Sequence, residues 1–286
     1  MEKLRNIYAE LFAIIQRAAV LEKEECASFT AMQGFRYATA KDITGKAFRM
    51  MLVGRAVNGW KEYTGKDGSK EEFVNASLAN LTNQPQVLKY GKDRFEWIAT
   101  DERGVTNLGV EDDKTVIDNP YNLLRSRFWC DTKEIWENLY GRRTDWNERW
   151  FENICWSNLY KISPRLGGNP SAKLQNLQEN ICIKLLQEEI EYFQPTHILF
   201  LTGSDWFMPF GKIFNNVIFI GCNKVSGKNK NDIFVEATAE YITRILPYHR
   251  AVGINAVIKS FPVYPICRNR KIPFYNISSS DRQRKS

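Results

Sequence analysis

The sequence predicts an α/β protein built on parallel strands, and three observations carry that reading. Trp150 to Trp206 runs as an apolar strand, a loop rich in Pro, Gly and Asn, an amphipathic helix, a Pro-marked turn and a second apolar strand. Strand, helix and strand in that order form a right-handed crossover between parallel strands. Lys46 to Val53 is a short apolar run that stops at a glycine-bounded loop, as a strand buried on both faces does. Finally, 286 residues with 43% apolar and 26% charged side chains can bury a sizeable core, which excludes a disordered or fibrous chain.

Taken in order, residues 2 to 24 place Leu4, Tyr8, Leu11, Phe12, Ile15 and Ala19 at helical spacing, which makes a covering helix with one buried face. The Lys46 to Val53 strand then enters Gly54-Arg55-Ala56-Val57-Asn58-Gly59-Trp60. Glycines there let backbone approach a ligand closely, although a plain strand-end turn explains them equally well. From Lys61 to Thr115 the pattern is weak. Phe73, Phe95 and Trp97 could each stack on a base, but such rings more commonly pack in a core. Large side chains from Leu123 to Tyr140 read as one or two helices within a helical insertion around 115–150, and Arg142-Arg143 reads as solvated surface.

In the crossover unit, Ile154 to Tyr160 is the strand and Ser163-Pro164 through Asn169-Pro170 the loop, with Asn169 capping the helix and Pro170 at its first position. Leu174, Leu177, Ile181 and Leu185, beside Cys182, Leu186, Ile190 and Phe193, form two apolar rows that pack on a sheet. His197 to Leu201 is the second strand, closing in Thr202-Gly203, and His197 at its start reads as structural. Ligands of parallel sheets bind beyond the carboxyl ends of the strands, so Asn158 to Pro164 and Thr202 to Trp206 mark the ligand edge. Val217 to Ile220 is a further strand. Thr243 to Leu246 reads as a last one that delivers His249 to the same edge, and Ala251 to Phe261 as a short helix. With neither an internal repeat nor a linker, the expectation is one domain over 1–264.

Charge and cysteine usage narrow the partners. The net charge is +7, of which residues 265–286 carry +5 through Arg268, Arg270, Lys271, Arg282, Arg284 and Lys285 against Asp281. Such a flexible basic tail can bind nucleic acid through phosphates, but a solvated, frayed end is the commoner meaning. The charged N-terminal segment lacks a signal-peptide pattern, and no run approaches the roughly 18 apolar residues of a membrane span. Six scattered cysteines without a CxxC pair point to reduced thiols and a cytoplasmic protein, and two histidines exclude a His-rich metal site.

Asn158, Lys161, Pro164, Cys182, Pro195 and Gly203 follow one another across residues 151–203. In order and spacing this series resembles the second half of the uracil-DNA glycosylase superfamily. Gly54 to Gly59 resembles that superfamily's glycine-rich first motif, and Pro247 to Arg250 its closing histidine motif. Together these islands cover about a quarter of the chain. The resemblance implies a three-layer α/β/α sandwich around a central, mainly parallel sheet of about four strands, which takes a base flipped out of DNA. It assigns catalysis to Asn58, which would position water, and to His249, which would stabilise charge developing at the base. It assigns ligand binding to Gly54, Arg55, Gly59, Phe73, Asn158, Lys161, Gly203, Ser204 and Arg250. Among these, Asn158 would read the base edge with its donor and acceptor, and Phe73 would stack.

The chain departs from the pattern at informative places. Arg55 stands where the superfamily has Glu or Gln, and an arginine is no general base at neutral pH. Arg250 replaces the proline after the histidine. Ile162 stands where an iron–sulfur cysteine is expected and no N-terminal cysteine pair exists, so no cofactor is expected. The expected activity is hydrolysis of an N-glycosidic bond in base excision repair. The alternative is an inactive member that binds a nucleobase, nucleotide or nucleic acid. A generic phosphate-binding doubly wound protein ranks below both, because the GxGxxG and GxxxxGK[ST] fingerprints are missing.

Overall fold

Helix α1, Glu2–Glu22, buries Leu4, Ile7, Tyr8, Leu11, Ile15 and Ala18 along one face and ends at Lys23, which takes the left-handed conformation (φ 57°). It belongs to a computed structural model that describes residues 1–34, 37–41, 45, 49–56, 68–82, 127–140, 150–202, 204–213, 217–221 and 257–261. Short strands β1 (Cys26–Ser28) and β2 (Met32–Gln33) follow, then β3 (Met50–Gly54), α2 (Lys70–Thr82) and α3 (Arg127–Tyr140). The second half contains β4 (Ile154–Asn158), β5 (Ile162–Pro164), α4 (Ala172–Phe193), β6 (His197–Phe200), α5 (Ser204–Phe207), β7 (Val217–Gly221) and β8 (Val257–Phe261).

Among the described residues a mixed six-stranded sheet runs in the order β2-β4-β3-β6-β8-β7, beside a two-stranded β1-β5 ladder. Strand β2 is antiparallel to β4, whereas β3 is parallel to both β4 and β6, and β8 to both β6 and β7. The crossover through α4 therefore joins two strands that flank β3 rather than each other. All five residues of β3 and of β4 are buried, as expected for strands covered on both faces.

Alternation along the strands separates two faces. Met51, Val53, Cys155, Ile198 and Phe200 join the main core with the buried faces of α1, α2 and α4. Trp156 points the other way, its ring centroid 4.6 Å from Phe29, 6.1 Å from Phe128 and 5.0 Å from Trp129, the last two on α3. Ring pairs Trp136–Trp150 and Trp150–Phe151 extend this aromatic layer.

Four sequence expectations need correction. The sheet has six strands rather than about four, because the two-residue β2 and the strand β8 add to it. Val257 to Phe261, expected within a short helix, is β8: the β-branched pair Val257-Ile258 suits an extended chain, and the ladders to β6 and β7 take up its backbone. The α4 cap is Ser171 rather than Asn169; its hydroxyl accepts from the Leu174 amide at 3.2 Å, the three-residue reach that a cap requires. The weakly patterned stretch after Gly68 is helix α2. Ser69 and Glu72 close its start reciprocally, the Ser69 amide donating to Glu72 Oε2 at 2.6 Å and the Glu72 amide to Ser69 Oγ at 3.2 Å. No helix among the described residues is long and apolar enough to cross a membrane. The expected strand at Thr243 to Leu246 and the basic tail lie outside the described residues.

Candidate functional site

The carboxyl ends of β3, β4 and β6 form one edge of the sheet. In register, Gly54 lies opposite Asn158, and pairing continues past the strands as the Leu159 amide donates to the Gly54 carbonyl and the Tyr160 amide to the Arg55 carbonyl, both at 2.9 Å. On the other side of β3 the Leu201 amide donates to the Val53 carbonyl at 2.9 Å, which brings Thr202 level with Arg55. From β3 the chain steps to β4 on one side and then crosses to β6 on the other. The ends of these three strands therefore surround a topological switch point, where open sheets bind ligands.

Asn158 is the central side chain there. It is 2% exposed, yet its Nδ2 has no hydrogen-bond partner among the described residues. Its Oδ1 crosses over β3: a Cβ on Gly54 would meet it at 2.3 Å and the Phe128 ring at 3.3 Å. Gly54 thus allows the amide to lie across the strand end, a close approach that any larger residue would block. Arg55, exposed, donates from Nε to the Thr202 carbonyl at 2.7 Å, and its guanidinium carbon lies 5.7 Å from the centroid of the half-buried Trp206 ring. Tyr160 braces Trp206 edge-on at 5.7 Å.

Behind this edge, between β4 and α4, lies a buried polar network. Lys161 Nζ donates to Ser157 Oγ at 2.6 Å and to Glu189 Oε2 at 2.8 Å, and the Ser157 hydroxyl donates to the same carboxylate oxygen at 2.7 Å. Both charged side chains are fully buried. Gln178 Oε1 accepts from the Lys161 and Ile162 amides at 3.0 and 2.8 Å while its Nε2 donates to the Ile162 carbonyl at 2.8 Å. The Tyr8 phenol is pushed far above its usual range, first by burial and then by the Glu189 charge. Among the described residues neither its hydroxyl nor Glu189 Oε1 makes a hydrogen bond of ordinary geometry. Burial also raises the Cys155 thiol strongly and the Cys182 thiol to about 12, which leaves both inert.

Of the residues expected at the site, Gly54, Arg55 and Asn158 come together, and Ser204 opens α5 just beyond Thr202. Lys161 is fully buried, and its ammonium is bonded to Glu189 and Ser157 inside the protein. Phe73 packs in the seam between α1 and α2, its ring centroid 5.5 Å from Phe12 and 6.5 Å from Tyr8. Asn58, Gly59, Gly203, His249 and Arg250 lie outside the described residues. The sequence marks Trp206 only as the end of a segment, and Gln178 and Glu189 escape a reading of apolar rows although each occupies a core position of the α4 repeat. Among the described residues no group of three or more His, Cys, Asp or Glu side chains is placed to hold a metal ion. Comparison with protein-family models, with curated proteins and with solved structures finds no match for this chain.

Proposed function

We propose that this chain is a uracil-DNA glycosylase-like protein, a three-layer α/β/α sandwich whose strand-end site receives a base turned out of DNA. The observation that carries the proposal is the buried, unspent amide donor of Asn158 at the switch point. One amide offers a donor and an acceptor, the pair needed to read a pyrimidine edge. Extruding a base costs a few kcal/mol, and hydrogen bonds to its edge in a dry site offset that cost. Four of the five pairings described within the six-stranded sheet are parallel, with α1 and α4 against one face and α3 against the other, and this supports the sandwich. In the hydrolytic form, Asn58 positions water and His249 stabilises negative charge on the departing base. A second reading, binding without hydrolysis, is favoured by one observation: Arg55, in the place of the usual acidic or amide residue, is tied to the Thr202 carbonyl and cannot take a proton from water.

The test is to incubate the full chain with duplexes carrying uracil, mismatched thymine, hypoxanthine or an oxidised base, and to cleave abasic products with alkali. Strand breaks at one of these bases are expected, and their loss in Asn158→Leu. Breaks at none of them, from folded protein, would remove hydrolysis and leave the binding reading. Absence of binding to the same duplexes by fluorescence anisotropy would remove that reading as well.

A further inference from the structure

A second unspent polar side chain lies beside Asn158. Thr30, between β1 and β2, is buried, and its hydroxyl has no hydrogen-bond partner among the described residues. Its place is fixed from both ends. Met32 pairs with Trp156 on β4, and the Phe29 amide donates to the Lys161 carbonyl at 2.7 Å. Continuing the Met32–Trp156 register by two residues sets Thr30 against Asn158. The stretch from Trp156 to Lys161 is two residues longer than the stretch facing it, so the chain bulges where β4 ends. The face is fixed as well. Ala31 joins the main core with Cys155, so alternation puts Thr30 and Met32 on the opposite face. Trp156 is the partner of Met32, and Asn158, two residues further along β4, shares its face. Ring contacts agree with this placement. Trp156 meets Phe29, the neighbour of Thr30, at 4.6 Å and Phe128 at 6.1 Å, and the Phe128 ring and the Asn158 amide both close over Gly54. The hydroxyl and the amide therefore lie on one face of the sheet, among the same aromatic rings.

We infer that Thr30 is a specificity-determining residue of this site: its hydroxyl donates to a carbonyl oxygen on the edge of the base, next to the contacts made by Asn158. The inference rests on the base-binding reading and adds a second polar contact to it. A valine of the same shape would fill this place without burying an unmade hydrogen bond, so the hydroxyl serves something other than packing. A threonine hydroxyl is one donor on a rotor, and the backbone pairings on either side of Thr30 fix where that rotor sits. Amide and hydroxyl together meet two polar atoms of one ring. A base that lacks the carbonyl facing Thr30 leaves the hydroxyl unpaired in a buried site and is rejected for that reason.

Calorimetry on the full chain tests the contact atom by atom. The probes are deoxyuridine and deoxyinosine, and analogues of each in which one carbonyl oxygen is removed. Removing the carbonyl that Thr30 meets should weaken binding to the wild-type protein about 5- to 50-fold. The same removal should cost nothing in Thr30→Val, which keeps the shape without the hydroxyl, and should cost again in Thr30→Ser, which restores it. Removing a carbonyl that Thr30 does not meet should cost wild type and Thr30→Val alike. Thermal melting accompanies the titrations, and Thr30→Val should melt at or above the wild-type temperature, since it removes a buried hydroxyl that nothing in the fold uses. Carbonyl penalties that are the same in wild type and Thr30→Val overturn the contact and leave base binding by Asn158 standing. So does a Thr30→Val that weakens every probe equally or melts several degrees lower, because the hydroxyl then serves the fold. Binding of neither parent nucleoside to folded wild-type protein overturns the base reading, and the role of Thr30 with it.

Discussion

Replacing Lys161 by Met tests whether this lysine belongs to the framework or to the ligand. The substitution keeps most of the side-chain volume but leaves Glu189, fully buried, with the Ser157 hydroxyl as its remaining hydrogen-bond donor among the described contacts. Removing one member of a buried pair typically costs about 3–5 kcal/mol, because the other charge is stranded. An unfolding entropy of about 2.1 cal/mol/K per residue, over 286 residues, comes to roughly 600 cal/mol/K. The melting temperature should therefore fall by about 5–8 °C. The double variant Lys161→Met, Glu189→Leu strands nothing and should melt close to wild type or above it, since a packed apolar pair commonly replaces a buried ion pair without loss. Differential scanning fluorimetry measures both, and base binding is measured on the double variant. A single variant that melts within about 2 °C of wild type would refute the buried-charge argument. A double variant that keeps its stability but loses base binding would show that Lys161 touches the ligand after all.

Gly54→Ala places a methyl group 2.3 Å from Asn158 Oδ1 and 3.3 Å from the Phe128 ring. It should weaken base binding about 10- to 100-fold by displacing the amide, read by calorimetry; unchanged affinity would mean that Asn158 is not the reader. Alkaline titration should unfold the protein progressively, because burial raises the Tyr160 phenol from 10.0 to about 12 and the Cys182 thiol from 9.0 to about 12. The folded state holds these protons more tightly than the unfolded chain, so their contribution is complete below about pH 9 and is lost as the pH rises through about 12. Urea melts across that range should show a falling midpoint, and a constant one would refute the burial of these protons. Below that window Cys155 and Cys182 should resist a thiol reagent until the protein is unfolded. Ser171→Ala removes the α4 cap and should lower stability by about 1 kcal/mol in a urea melt.

The elements that carry the site are legible in the sequence because each is bounded by strong local chemistry. An apolar run stopping at Gly54, a strand expected over Ile154 to Tyr160 and observed over Ile154–Asn158, and a long amphipathic helix between proline-marked turns cannot be read many ways. Local chemistry is less decisive elsewhere. The Ser69-x-x-Glu72 capping box is present in the sequence, but the weak apolar pattern around it hides helix α2. Val257 to Phe261 is too short for periodicity to separate helix from strand, and its ladder partners decide it. Motif order puts Lys161 and Phe73 at the site, yet motif order says nothing about burial. Glu189 carries the missing signal: it sits four residues after Leu185 and four before Phe193, a core position where a carboxylate needs a cation. Which lysine answers it depends on contacts across 28 residues of chain. No local pattern encodes that choice.

The same long-range contacts explain how an unsatisfied amide persists at the strand end. The backbone from Leu159 to Ile162 is held by Gly54, Arg55, Gln178 and Phe29, which fixes the Cα position of Asn158, and its side chain is buried at 2% exposure against Gly54. A buried donor left unmade costs about 1–3 kcal/mol in the free protein, and a ligand acceptor that meets Nδ2 recovers it. Asn158→Leu, close in shape and without a polar group, should therefore be neutral or raise the melting temperature by about 2–5 °C, while base binding is lost. Gain of stability with loss of binding is the signature of a residue kept for function rather than for the fold. If Asn158→Leu instead lowers the melting temperature by several degrees, the amide supports the native structure, and its open donor is no longer an argument for a ligand.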